Sequence, residues 1–345
     1  MKQNKDIKIT TISKQIPIVF SFDDNYTIPA AVAFYSLLNK AVKNVFYKMF
    51  VLHADISEEN QNLLQSIINK TNNATLSFID TKGFLANEWE RGNFSKNAGQ
   101  FTTDTIIRCF VAKFLPQYDK AIYSDVDVVV VDDISKLFDI DLKDKYMGVV
   151  RGAFNNYSES ELSHLSEENY EKFKDTYFAG GIWLLNLKKI REDNLESKMI
   201  EIILDNSIIK RWNDQDIMNI ACDNKVEFIP LNYISYPYLH SYLKKPNFTS
   251  HYTRDELYDS IISPKIIHYA DVKPWASRDC FLAQIWWQIF DYLQLPKTSI
   301  FKNIKTQESD ENIRLRKRYK KYKRLFNIFL VTSILYTIIF IISFY

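Results

Sequence analysis

The residues best equipped for chemistry lie in Tyr123-Ser124-Asp125-Val126-Asp127-Val128-Val129-Val130-Val131-Asp132-Asp133. Asp125 and Asp127 stand two apart where an apolar run emerges, so an extended backbone points both carboxylates to one side. Oxygen ligands of this kind suit Mn²⁺ or Mg²⁺, bridging to diphosphate oxygens rather than closed in an all-protein cage. The competing reading is a pair of carboxylates capping a turn. For Asp132 and Asp133 that reading is preferred, with Asp133 as the N-cap of a helix over Ile134–Phe138. Two further segments carry polar groups in suggestive order. Trp212-Asn213-Asp214-Gln215-Asp216-Ile217 precedes an apolar helical pattern and reads as a helix cap or as a site. Ile266-Ile267-His268-Tyr269-Ala270-Asp271-Val272-Lys273-Pro274-Trp275 ends a short apolar strand in a histidine and follows it with a lysine. A lone histidine is usually structural; beside a D-x-D pair His268 becomes a candidate ligand.

The elements that must position these groups follow a βαβα order. Strands are expected at Pro17–Phe22, Val45–Leu52, Ala74–Ile79 and Lys120–Ser124. Helices are expected at Ile28–Leu38, at Ser57–Asn69, whose Ser57-Glu58-Glu59-Asn60 start has capping chemistry, and at Phe101–Leu115. That order implies an α/β fold with a mainly parallel, Rossmann-like sheet covered on both faces. Ligands of such sheets bind at the carboxyl ends of strands, where the turn Asp23-Asp24-Asn25-Tyr26 and the D-x-D both fall. The chain beyond Ser124 is less regular. With seven glycines and neither a G-x-G-x-x-G nor a G-K-[ST] element, phosphates must be held by other means.

Composition bounds the partners. Of 345 residues 46% are hydrophobic and 25% charged, as in an ordinary folded protein. Three distant cysteines, Cys109, Cys222 and Cys280, read as reduced thiols. Residues 1–15 form a polar extension without a secretory signal. Between Glu311 and Arg324 eight basic residues face one acid, so with the whole chain at +2 the remainder stands near −5. A slightly acidic body is a poor partner for nucleic acid. The 21 residues Leu325–Tyr345 carry no charge; as a helix they would span about 30 Å, the thickness of a bilayer core. The expected organisation is therefore a catalytic domain over 16–296, a basic linker over 297–324 and a membrane helix over 325–345. The linker would face anionic lipid at the cytoplasmic side of the inner membrane.

Taken jointly, D-D-N-Y, D-x-D, N-D-Q-D and H-Y…K-P-W resemble the family 8 glycosyltransferases, over about Ile18 to Trp275. The resemblance implies a GT-A fold, a UDP-sugar donor such as a UDP-hexose, a divalent metal and retention of anomeric configuration. It also implies a saccharide acceptor, lipid-linked if the tail is an anchor. Carried over by position, Asp23 and Asn25 contact uracil and ribose, and Arg108 lies along the donor. Asp125, Asp127 and His268 hold the metal, and Lys273 neutralises the leaving β-phosphate. Asp214 bonds the sugar hydroxyls, while the amide oxygen of Gln215 faces the anomeric carbon. Two departures stand out. Phe178-Ala179-Gly180-Gly181 has Ala179 where the family has a sugar-contacting asparagine, and the segment from His268 to Lys273 is one residue shorter than the commonest version.

Two other classes remain open at this point. A haloacid-dehalogenase-type phosphatase also uses D-x-D-x-[TV], but on its first strand, whereas here about a hundred residues of βα pattern come first. A membrane-anchored carbohydrate-binding protein would account for 15% aromatic residues, yet these are scattered.

Overall fold

A computed structural model describes residues 14–91, 103–152, 162–208, 210–243, 250–270, 272–277 and 280–297. The basic linker from residue 298 and the expected membrane helix lie outside them. Among the described residues no helix is long and apolar enough to cross a membrane.

Among the described residues nine strands form two sheets: β1 (Lys14–Ser21), β2 (Val45–His53), β3 (Ala74–Asp80), β4 (Lys120–Ser124), β5 (Val128–Val130), β6 (Met147–Arg151), β7 (Phe178–Asn186), β8 (Val226–Phe228) and β9 (Ile266–His268). The large sheet runs β3-β2-β1-β4-β7-β6-β8 and the small one pairs β5 with β9. The first four strands are parallel neighbours, while β7 lies antiparallel to both β4 and β6. The chain builds outward from β1 to β2 and β3, then crosses back to place β4 on the other side of β1. That reversal opens a crevice at the carboxyl ends of β1 and β4. The GT-A-like α/β expectation holds, and the segment after Ser124 that looked irregular supplies three more strands to the sheet.

Both faces are covered, and period-2 alternation shows it. Ile16, Ile18 and Phe20 of β1 enter one apolar cluster and Val19 enters the other; in β4, Ile122 goes one way and Ala121 and Tyr123 the other. The helix Thr27–Lys40 packs on the first face, its Phe34 ring 4.6 Å from Phe20. Its Ser36 hydroxyl accepts from the Val130 N–H at 2.9 Å and so also fixes β5. The helix Glu58–Ile68 begins as expected, with Ser57 accepting from the Asn60 N–H.

Two expectations are corrected. The helix expected over Phe101–Leu115 is broken into Thr103–Ile107, a 3₁₀ turn Arg108–Phe110 and Val111–Phe114. The tighter turn falls where Arg108 is drawn to two carboxylates while Cys109 and Phe110 stay in the core. The helix expected at Ile134–Phe138 is a 3₁₀ turn, Ser135–Asp139, and Asp133 serves it by accepting from the Ser135 N–H and hydroxyl.

Candidate active site

Asp125 and Asp127 sit in a bend between β4 and β5, not on an extended strand, and the bend makes their carboxylates converge. The Asp125 N–H donates to Gly181 O at 2.8 Å and the Tyr269 N–H to Asp127 O at 2.9 Å, so β7 and the end of β9 hold the bend from two sides. Register does the rest. Val128 pairs with His268, which carries the imidazole to the carboxylate one residue before Val128. His268 Nε2 lies 3.1 Å from Asp127 Oδ1 and 3.6 Å from Asp125 Oδ2. One ligand atom from each of the three lies within 4.8 Å of the others. Two carboxylates and an imidazole form a donor set that can hold a divalent ion.

The remaining oxygens are taken. Asp125 Oδ1 accepts from Tyr123 OH at 2.9 Å and faces Arg108 Nη1 at 2.6 Å, while Asp127 Oδ2 accepts from Lys273 Nζ. Each carboxylate thus has one oxygen anchored by protein and one turned to the shared position. Burial opposes ionisation of Asp127, but Lys273 and then His268 outweigh it and hold the carboxyl far below its usual range. Lys273 also donates to Tyr269 O and Ala270 O.

Gly181 explains how the imidazole fits. Its φ is +107°, and a Cβ there would lie 2.6 Å from His268 Cε1 and Nδ1 and from Ile234 Cδ1. Among the described residues His268 Nδ1 has no hydrogen-bond partner, so packing on that side and the Nε2 contact to Asp127 together set the ring. At Gly180 a Cβ would meet Asp214 and Gln215 at 3.5 Å, ordinary contact. Gly181→Ala is therefore expected to lower Mn²⁺ affinity about 10- to 100-fold, the scale of losing support to a metal ligand. Gly180→Ala should change it little. Mn²⁺ titration of both variants checks this, and equal affinities would remove Gly181 from the account.

Arg108 links the metal-binding candidates to the sugar-facing ones. Its Nη1 lies 3.5 Å from Asp214 Oδ2, and its guanidinium lies 5.0 Å from the centre of the Tyr123 ring. Burial pushes the Asp214 carboxyl up to about 7, against the pull of Arg108 and with a further push from Asp125. Asp214 opens the helix Asp214–Cys222 behind Asn213, which stands at φ 44°, ψ −102°. Such a conformation costs about 1–3 kcal/mol. Gln215 Oε1 accepts from the Gly180 N–H at 3.0 Å, which fixes the amide beside β7.

The turn after β1 divides its carboxylates. Asp24 Oδ1 accepts from the Ser57 N–H and hydroxyl and from Asn60 Nδ2, tying the turn to the start of the helix Glu58–Ile68. Asp23 accepts from the Asn25 N–H at 2.9 Å, and burial raises its pKa. Asn25 is exposed. Tyr26, to which sequence reasoning gave no role, stands edge-on to Trp275 at 6.1 Å and lies within the field of Lys273 and Asp127. Arg108, Asp125, Asp127, Asp214, His268 and Lys273 thus form one connected network. Gln215 joins it beside Gly180, and Asp23 and Asn25 stand at the neighbouring strand end. Tyr123 and Gly181 likewise take part, and their places inside the sequence motifs give no sign of it.

A seven-stranded sheet with a carboxylate–histidine cluster at its crossover point places the molecule among GT-A-like α/β folds, and solved glycosyltransferases share it. The chain matches the bifunctional glycosyltransferase WbbM with a TM-score of 0.68 and 24% identity, over 84% of this chain and about half (52%) of WbbM. It matches the galactosyltransferase LgtC, solved with donor and acceptor sugar analogues, with a TM-score of 0.65 and 23% identity, over 81% of this chain and 97% of LgtC. The family model for glycosyl transferase family 8 covers residues 17–279, and the chain belongs to that family. A putative glycosyltransferase of Haemophilus influenzae is 28% identical over 68% of each chain. A lipopolysaccharide 1,2-glucosyltransferase of Escherichia coli is 25% identical over 89% of this chain and 82% of its own. Family membership displaces the phosphatase alternative.

Proposed function

We propose that this protein transfers a hexose from a UDP-sugar to a saccharide acceptor with retention of configuration, using Mn²⁺ or Mg²⁺ held by Asp125, Asp127 and His268. The observation that carries the reading is the convergence of those three ligand atoms within 4.8 Å, at the carboxyl end of a central strand, in a chain of this family. The bound ion would supply Lewis-acid stabilisation of charge on the departing diphosphate. Asp23 and Asn25 hold the nucleoside at the end of β1. Arg108 lies along the donor and keeps Asp125 oriented. Lys273, already against Asp127, is within the same cluster and adds positive charge for the leaving phosphate.

In the reaction the anomeric carbon–phosphate oxygen bond breaks as the acceptor oxygen bonds to that carbon. The acceptor proton passes to a phosphate oxygen of the departing UDP. Asp214 and the Gln215 amide oxygen favour the oxocarbenium character that develops on the sugar. Retaining glycosidases use a carboxylate nucleophile; an amide at Gln215 favours front-face substitution instead. The test is UDP release from UDP-galactose, UDP-glucose and their N-acetyl forms. Release from at least one is expected, and release from none contradicts the reading.

Ala179 bears on the donor. It lies next to Gly180, whose N–H holds Gln215, at the place where the family carries an asparagine. Ala179→Asn is expected to shift relative rates towards galactose or glucose. Unaltered ratios across the four donors would remove Ala179 from the specificity of the site.

A lipid-linked acceptor at the inner face of the cytoplasmic membrane is the second part of the proposal. The uncharged run 325–345 and the basic stretch before it support it, as does the resemblance to an enzyme named for lipopolysaccharide. Full-length protein is expected to stay with membranes in high salt and to leave only in detergent. A chain ending near residue 305 should remain soluble and release UDP, but act poorly on membrane-borne acceptor. Release of full-length protein by salt alone would contradict insertion.

A further inference from the structure

Asp216, the second carboxylate of the N-D-Q-D segment, has no part in the reaction as proposed, and its surroundings show what it does. It is fully buried, and both of its oxygens are taken. Tyr177 OH donates to Oδ1 at 2.7 Å, the Trp212 N–H to Oδ2 at 2.7 Å, and His164 Nε2 lies 3.0 Å from each. A carboxylate saturated in this way is not available as a nucleophile. It closes a turn. Trp212 O accepts from the Gln215 N–H and Asn213 O from the Ile217 N–H, both at 3.0 Å. Between them sits Asn213 at positive φ, buried, with neither amide atom paired among the described residues. Nothing in its own side chain holds Asn213 in that conformation; the bonds to Asp216 and along the turn do. Asp214, which faces Arg108, follows directly, and then Gln215, which meets Gly180. Asn219 fixes the same helix to β7 by bonds to the N–H and carbonyl of Phe178. The helix is therefore seated on β7 through Asn219 and Gln215, and its first turn is held through Asp216.

We infer that Tyr177, His164 and Asp216 form a positioning device for the sugar-facing pair Asp214 and Gln215, acting through the turn at Asn213. The inference rests on the proposed roles of Asp214 and Gln215. Tyr177→Phe removes one hydrogen bond and no carbon volume, and His164→Gln is a second, mild variant. In each, kcat for UDP release from the donor is expected to fall roughly 10- to 100-fold, the effect of an ångström-scale misplacement. KM for the donor and the Mn²⁺ activation constant should change far less than kcat, because Asp125 keeps its bond from Tyr123 and Asp127 its bond from Lys273.

Tyr146→Phe is the control, since it removes a tyrosine–carboxylate bond to the more exposed Asp193, away from the site. It should lower Tm by less and leave kcat alone. The full-length protein is used throughout, and amide exchange of Gln215 and Ile217 is measured beside the kinetics. Faster exchange at these two amides in Tyr177→Phe, with slower turnover, supports the device. Unchanged kcat with a lowered Tm overturns it, as does a parallel change in kcat, KM and metal activation. Were the unmodified protein to release UDP from no donor, the activity reading would fail by itself. The exchange measurement would still decide the trio's role, since unchanged protection in both variants overturns it.

Discussion

Replacing Asp127 by asparagine is expected to abolish transfer, with a loss on the order of 10³-fold or more, while far-UV dichroism stays that of the folded protein. Asparagine keeps the shape but not the charge. One oxygen of Asp127 lies 3.1 Å from His268 Nε2 and the other accepts from Lys273, so the substitution takes negative charge from the ligand set and from the lysine together. Stability should fall as well, because Lys273 is left facing a neutral amide. The sign of its pH dependence follows from the direction of the shift. The Asp127 carboxyl is held far below its unfolded value, so its contribution is fully present above about pH 4 and is lost only in stronger acid. Near-normal turnover of the variant in Mn²⁺ would mean that the ion, if used, binds elsewhere.

Gln215→Ala is expected to lower kcat roughly 100-fold with KM for the donor changed only a few-fold. The Gly180 N–H holds the amide oxygen beside Asp214, so the group is fixed before any donor arrives. A fixed dipole of that kind is felt most strongly where positive charge develops, in the transition state rather than in the bound donor. Steady-state UDP release separates the two parameters. A change confined to KM would make Gln215 a binding residue only.

The parts of the fold legible in the sequence are those set by local pattern. Lys120–Ser124 is a strand over the residues expected, because a short apolar run bounded by polar residues has few other uses in βα order. The cap at Ser57 was equally plain. The seating of β6, β7 and β8 beside β4 was not, since strand pairing depends on partners remote in sequence. The candidate site divides in the same way. Asp125, Asp127 and His268 could be named from motif spacing and family resemblance, and the β5–β9 register accounts for their meeting. Three features depend on atoms that only the folded chain brings near: Gly181 against the His268 ring, Asp24 at the Ser57 helix start, and Asp216 between Tyr177 and His164. The resemblance picks out Asp23 and is silent on Asp24, whose structural part is visible only in its three hydrogen bonds to Ser57 and Asn60.

The most direct test of the central claim is release of UDP from a UDP-sugar by the full-length protein, first with Mn²⁺, then after EDTA, then with Mn²⁺ restored. The geometry of Asp125, Asp127 and His268 predicts turnover that disappears with the chelator and returns with the ion, and that Asp127→Asn does not regain at any Mn²⁺ concentration reached. Undiminished UDP release in EDTA would contradict a metal-assisted transfer at this site.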